Sequence, residues 1–357
     1  SFKKLNMKKK SLSVKKKIRK NSTYFLSDIK LKKTFKKFEK NIKNFNFENN
    51  IGLALSGGPD SLALLYLIKN YKFAKKKKIY VYIVDHLLRK KSSEEANLVK
   101  SHIKNLKFNV KILKWIGKKP SSNIQALARK KRYSLISRQC EVDNVDTIFT
   151  AHHKDDLYEN FLLRLLRGSG LQGMTSFNSQ VINYNEKIRI IRPLLNISKE
   201  ELVYISKIFF RFYIEDPTNS NDYFKRVRLR KLISGLKKEG LDFNKLNLTL
   251  KNLTSSNNAI NFYVNKNLIE NVHKLRKKTS YIISKSFFDF PEEIVFRSFS
   301  LVLRKIGGRY YAPRGKSVLR TLSTLKSKKN LKLTLSGCIV EKFDNSLVIY
   351  KENAKKS

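Results

Sequence analysis

Short apolar runs alternate with longer amphipathic ones over the first two thirds of the chain. Ile51–Leu55 is apolar and bounded by polar residues, the pattern of a strand buried on both faces. Ser56–Asp60 holds two glycines and reads as a turn, and Ser61–Lys69 is helical in character. The alternation continues with a strand at Ile79–Val84 ending on Asp85-His86, a helix at Glu94–Leu106 and a strand at Phe108–Trp115. A long helix follows at Asn123–Gln139. Then come a strand at Asp146–Thr150 ending on Ala151-His152-His153 and a helix at Asp155–Leu166 that stops at Gly168. A further helix is expected near Ile29–Lys43.

This alternation predicts an α/β fold, a parallel sheet with helices on both faces. Right-handed crossovers gather the strand ends on one edge, and such sheets bind ligands beyond their carboxyl ends. Three marked segments fall there: Ser56–Ser61, Asp85–Arg89 and His152–Glu159. The pattern changes after Arg230. Leu232 to about Lys285 is polar, rich in Asn and Lys, and expected to be helical. Leu331–Phe343, Asp344-Asn345 and Ser346–Tyr350 read as a β-hairpin. The expected division is a basic extension over 1–48, an α/β catalytic domain over 49–230 and a smaller α+β region over 231–357, with no internal repeat.

Composition adds a partner class. The 357 residues carry 77 Lys and Arg against 28 Asp and Glu, a formal net charge of +49. Such an excess points to a polyanion, usually nucleic acid, whose phosphates exchange counterions for Lys and Arg. Abundant Lys, Asn, Ile and Phe also suggest A/T-biased codons, which inflate the number without changing its sign. The two cysteines, Cys140 and Cys338, form no C-x-x-C pair, which argues against a disulfide framework, a zinc site or a cysteine-held cluster. No apolar run approaches the ~20 residues of a membrane span, so no membrane partner and a cytoplasmic location are expected. Ser1–Lys20 is basic without the compact apolar core of a secretory signal. A solvated basic arm is the favoured reading there, and its lack of acidic residues leaves an organellar transit peptide as the alternative.

Ser56-Gly57-Gly58-Pro59-Asp60-Ser61 lies between an expected strand and an expected helix. Its glycines let backbone approach a phosphate, and its amides with the helix N-terminus form an anion cradle. It lacks the G-K-[ST] of a Walker loop. The segment resembles the PP-loop, S-G-G-x-D-S, of the ATP pyrophosphatase superfamily, which implies an adenine nucleotide alpha hydrolase-like sheet. Asp155, Asp156 and Glu159 open a helix, where negative charge is favourable. Asp156 and Glu159, three apart, share a face and together suit an ammonium group or a magnesium ion. For Asp155 alone, helix capping is an equal reading.

The resemblance narrows through six segments in order. Val84-Asp85-His86-Leu87-Leu88-Arg89, Asn123 through Ala126 with Ala128-Arg129 and Arg132-Tyr133, and Thr150 through Asp156 with Glu159 are the first three. Leu162–Gly170, Ile191–Leu195 and Glu215-Asp216-Pro217-Thr218-Asn219 complete the set. From about Ile51 to Arg230 the chain resembles the tRNA(Ile)-lysidine synthetase family. The resemblance implies an ATP- and magnesium-dependent ligase. The wobble cytidine of a CAU-anticodon tRNA(Ile) is first adenylated at O2. Free L-lysine then displaces AMP at C2, moving codon specificity from AUG to AUA.

On that reading Ser56, Gly57, Gly58, Pro59, Asp60 and Ser61 hold ATP. Asp60 positions magnesium or pyrophosphate, and Asp156 and Glu159 hold lysine. Asp155, Arg129 and Arg167 join them as catalytic candidates. Arg192 and Arg228 are candidates for phosphate or tRNA contact, with Arg309 and Arg314 as candidates in the C-terminal region. His152 and His153 either act as a base or pack, and neither receives a role. The chain departs from the family pattern at Leu87, where a glycine is usual, at Leu157 and Asn160, and at Arg226-Val227-Arg228. A cytidine thiolase-like PP-loop enzyme, an amidating ligase and a non-catalytic RNA-binding protein are the competing readings. The oligomeric state stays open, a homodimer included.

Overall fold

A computed structural model describes residues 28–89, 91–117, 119–120, 124–185, 187–215, 225–275, 280–308, 312–328, 330–343 and 346–352. The chain divides into two compact units, Ser1–Asp242 and Phe243–Ser357.

The first unit is built on a six-stranded sheet of β1 (Asn50–Leu55), β2 (Ile79–Asp85), β3 (Asn109–Lys114), β4 (Val145–Phe149), β5 (Val181–Asn183) and β6 (Arg189–Ile191). The order is β3-β2-β1-β4-β6-β5. Every pairing is parallel except that of β5 with β6. Ile51, Leu53, Val81, Ile148 and Phe149 are almost fully buried, as strands covered on both faces require.

The helices of this unit are α1 (Ile29–Ile42), α2 (Pro59–Asn70), α3 (Ser92–Ile103), α4 (Ile124–Val142), α5 (Lys154–Leu165), α6 (Leu171–Thr175), α7 (Lys199–Phe209) and α8 (Lys225–Lys238). Strand order reverses beside β1: β2 and β3 continue to one side, and β4 returns to the other. A crevice opens at such a switch point, beyond the carboxyl ends of β1 and β4.

The expected 1–48 extension does not stand apart from Asp28 onward. Asp28 caps α1 by accepting from the amides of Lys30 and Leu31. Thr34 and Lys37 both reach Glu201 on α7, and Asn41 donates to the Pro193 carbonyl at 2.7 Å. At the other end, α8 runs through the expected 230/231 boundary, so the units part between Asp242 and Phe243.

The second unit begins with α9 (Phe243–Asn271). Its sheet comprises β7 (Val272–Lys274), β8 (Ser280–Ile283), β9 (Leu331–Leu335), β10 (Cys338–Phe343) and β11 (Ser346–Lys351), in the order β7-β8-β11-β10-β9. Helices α10 (Glu292–Gly307) and α11 (Gly315–Ser327) pack on it around Phe287, Phe299, Leu303, Val318 and Val340. Two sequence expectations are corrected. The helical reading over 232–285 gives way at Asn271 to β7 and β8, which pair with each other, β8 also with β11. Leu331–Phe343 is two strands, because Ser336 and Gly337 take φ of 55° and 77° and reverse the chain. β10 and β11 pair as expected, with residues 344–345 outside the described set.

The Gly307-Gly308 pair, which precedes the candidate Arg309, has a structural explanation. Gly308 caps α10 in the left-handed region at φ 63°, and a Cβ on Gly307 would lie 2.3 Å from the Ser336 carbonyl oxygen. Gly307→Ala should therefore lower stability by about 1–3 kcal/mol, as overpacking against rigid backbone does. Thermal unfolding would show it, and an unchanged midpoint would contradict the packing.

Candidate active site

β1 delivers the chain to Ser56 at the switch point, and α2 starts at Pro59. Proline is tolerated there because its missing amide is one the helix leaves unpaired in any case. Gly58 caps α2 without a side-chain bond, leaving the first-turn amides for an anion. The loop is braced from within. Ser61 Oγ donates to the Gly58 carbonyl at 2.9 Å, and the Ser56 and Ser61 hydroxyls lie 3.2 Å apart. It is also braced from behind, where Gly57 accepts from the Ile214 amide at 2.9 Å.

The two glycines do different work. Gly57 sits at φ +81°, and a Cβ on it would meet Val99 Cγ2 at 2.5 Å and Ile214 Cγ1 at 3.1 Å. A Cβ on Gly58 would meet only Ser56 Oγ, at 3.6 Å, which leaves that face open to a phosphate. Gly57→Ala should cost about 2–4 kcal/mol of stability. Gly58→Ala should leave the melting midpoint alone and raise only the KM for ATP. Equal effects from the two in thermal unfolding and ATP titration would contradict this division.

His153, given no role from the sequence, joins the loop to the acidic helix. It caps α5, is 5% exposed, and lies among three carboxylates. Its Nε2 is 3.6 Å from Asp60 Oδ2 and 3.5 Å from Asp156 Oδ2, and its Nδ1 is 3.5 Å from Asp155 Oδ2. Burial pulls the imidazolium down, but Asp155, Asp60 and Asp156 outweigh it and raise it to about 10. A group raised on folding stabilises fully below its unfolded value near 6.5 and loses that contribution as pH climbs through the folded value. Stability should therefore fall between about pH 6.5 and 10 in the parent and less in His153→Gln, measured by urea unfolding across that range. Parallel curves would remove the charged imidazole from the account.

The acids are held individually. Asp156 Oδ2 accepts from the His153 amide at 3.0 Å, closing a capping box. Asp155 Oδ2 accepts from the Lys199 amide at 2.8 Å and so also caps α7. Asp60 Oδ1 is buried and makes no protein hydrogen bond. Glu159, 4% exposed, receives Arg230 Nε at 2.5 Å.

Sequence reasoning missed Arg230. The signal was helical spacing: Val227 and Arg230, three apart on α8, face inward, whereas the chosen Arg228 is exposed. Burial opposes the Arg230 charge, and Glu159, Asp156 and Asp60 more than restore it.

A second group of cations lies beyond β4 and β2. Arg192, a candidate for phosphate or tRNA contact, is 3% exposed. It stacks 4.3 Å from the Phe177 ring and donates to the Phe177 carbonyl at 3.1 Å, and its Nε is buried without a partner. Burial lowers its pKa to about 10. Position 192 follows the buried end of β6, which turns the side chain inward. His152 meets the Thr150 hydroxyl at 2.9 Å, and burial with Arg192 and Arg129 nearby holds it well below the usual histidine range. Arg132, also missed, lies 3.4 Å from His86 Nε2. Burial, then Arg132, lowers His86 to about 4.

Arg129 is exposed on α4, with its guanidinium 5.1 Å from the Tyr133 ring. Arg167 is not brought to the acids: it lies past Leu165, at the opposite end of α5 from Asp156, about 16 Å along the axis. Arg314 is exposed and caps α11 in the second unit. Arg309, Asn123 and residues 216–219 lie outside the described set.

The family described as PP-loop domain matches residues 28–236. A tRNA(Ile)-lysidine synthase of Wolbachia pipientis wMel is 35% identical over 87% of this chain and 72% of its own length. One from Orientia tsutsugamushi (strain Boryong) shows the same identity and coverage. Among solved structures, the U34-tRNA thiolase NcsA from Methanococcus maripaludis aligns with a TM-score of 0.52 at 15% identity, covering 62% of this chain and 79% of that one, a likeness of fold. With its PP-loop at the switch point and relatives this similar over most of its length, the chain belongs to the tRNA(Ile)-lysidine synthase family of PP-loop proteins.

Proposed function

We propose that this chain ligates L-lysine to C2 of the wobble cytidine in the CAU anticodon of tRNA(Ile), consuming ATP, and that it works in the cytoplasm. The observation that carries the reading is the junction at one switch point of a phosphate loop and an acidic helix N-terminus through His153. Among the described residues no helix is long and apolar enough to cross a membrane.

In the first step the cytidine O2 forms a bond to the α-phosphorus while the bond to the pyrophosphate oxygen breaks. The amides of Gly58, Asp60 and Ser61 are the donors available to the phosphates, where negative charge develops. In the second, the lysine ε-nitrogen attacks C2, AMP leaves, and the ammonium proton passes to a base. Asp156 and Glu159 hold the lysine, with Arg230 orienting Glu159. Arg192 and Arg132 supply positive charge where the nucleotide and RNA phosphates converge.

Among the described residues no set of three or more His, Cys, Asp or Glu is arranged to hold a metal by itself. That suits magnesium, which usually takes one or two carboxylates together with phosphate oxygens. Asp60 Oδ1, buried without a partner, is the protein donor it would find. Bound there, magnesium neutralises the β and γ phosphates.

A thiolase-like reading requires accessible thiolates. Cys140 and Cys338 are both buried, one in each unit, and burial pushes the Cys140 thiol up to about 12. The test is incorporation of labelled lysine into CAU-anticodon tRNA(Ile) with ATP and magnesium. Lysine transfer with matching pyrophosphate release is expected. Pyrophosphate release without transfer would keep the nucleotide site and reassign the nucleophile.

A further inference from the structure

Large apolar side chains stand exposed beyond the carboxyl ends of β2 and β3: Leu87 is 39% exposed, Leu88 40%, Ile116 81%, Ile124 43% and Leu127 39%. Their placement is fixed by the fold. Asp85 and Lys114 are register partners, so Leu87 and Ile116 each follow by two residues on neighbouring strands. Arg132 meets His86 at the end of β2. Leu127 and Ile124 therefore lie roughly 7 and 12 Å farther along the α4 axis, toward its N-terminus. All four residues from Ile124 to Leu127 are exposed. Leu87 is held at φ +51°, a left-handed conformation rare for leucine, by the hydrogen bond its amide donates to Asp85 Oδ1 at 3.0 Å. Cations flank the strip: Lys119 lies 4.4 Å from the Trp115 ring, and Arg129 and Lys130 are exposed on α4.

Apolar surface bordered by Lys and Arg suits unpaired RNA, because splayed bases pack against apolar side chains and phosphates meet the cations. The strip is continuous with the crevice through His86 and Arg132. A base drawn from a loop into that crevice brings its neighbours, unstacked, to this rim. The net charge of +49 favours the same partner.

We propose that the rim of Leu87, Leu88, Ile116, Ile124 and Leu127 binds the single-stranded loop bases that flank the target nucleotide. This rests on the tRNA-modifying reading above and adds the surface that selects loop over helix.

The test compares the full chain with Leu88→Gln/Leu127→Gln, both sites being exposed. The probes are a synthetic anticodon stem-loop RNA with CAU in its loop, and the same strand annealed to its complement. Kd for the stem-loop should rise about tenfold, the loss of apolar contact from two leucines. Kd for the duplex, the KM for ATP and the slope of log Kd against log salt should not change, because no phosphate contact is removed. Equal loss on loop and duplex, or no loss on either, overturns the proposal. So does a change in sedimentation without RNA, which would assign the rim to a second copy of this chain. A chain that makes no lysidine yet loses loop affinity in the variant keeps the rim and drops the function. Lysidine formation with unchanged loop affinity does the reverse.

Discussion

Asp60→Ala should reduce tRNA-dependent pyrophosphate release by about 10²–10³-fold, the usual loss when a preorganised electrostatic group is removed. Asp60 has one oxygen against His153 and the other buried with no protein partner. A buried, unsatisfied carboxylate oxygen is costly unless a ligand completes it. The substitution therefore removes the completing contact and also frees His153 from one of its three acids. Asp60→Asn separates these effects. It keeps the shape, loses the charge, and should retain the fold with activity close to that of the alanine variant. Near-parental turnover in Asp60→Asn would deny the charge a part in the chemistry.

Arg230→Ala should be the most damaging single change outside the loop. It removes the cation paired with Glu159, whose side chain is only 5% exposed. Breaking a fully buried pair typically costs about 3–5 kcal/mol. The Arg230 side chain is 37% exposed, so water screens the pair and about 2–3 kcal/mol is the better expectation. Without Arg230 to orient it, Glu159 would lose its grip on an ammonium group. Thermal unfolding should show the stability loss, and the KM for lysine should rise more than the KM for ATP. Adding Glu159→Gln should recover stability without recovering lysine transfer. A double variant no more stable than Arg230→Ala would contradict the pair.

The sheet was legible because β1, β2 and β4 are short apolar runs, a pattern that two-sided burial imposes. The three marked segments were legible because strand ends in a parallel sheet share one edge. What stayed hidden depended on contacts distant in sequence. Nothing local distinguishes Arg230 from the many other arginines and lysines until α8 is laid against α5. His153 looks like its neighbour His152, yet extended backbone turns adjacent side chains to opposite sides: one meets three carboxylates, the other meets Arg192 and Phe177. Strand β8 owes its form to β11, and β7 in turn to β8, partners that no local pattern announces. The Ser336-Gly337 reversal was missed because Leu331–Phe343 is apolar enough to read as one strand.

Buried His153 and half-buried Arg230 meet the site's carboxylates at close range. The charge balance of the chemistry is therefore set locally, and screening fades the influence of exposed lysines within about 8–10 Å. A lineage under strong codon bias can gain or shed surface lysines by the dozen while the reaction centre stays in tune. Extreme basicity and conventional chemistry can then evolve on separate clocks within one chain.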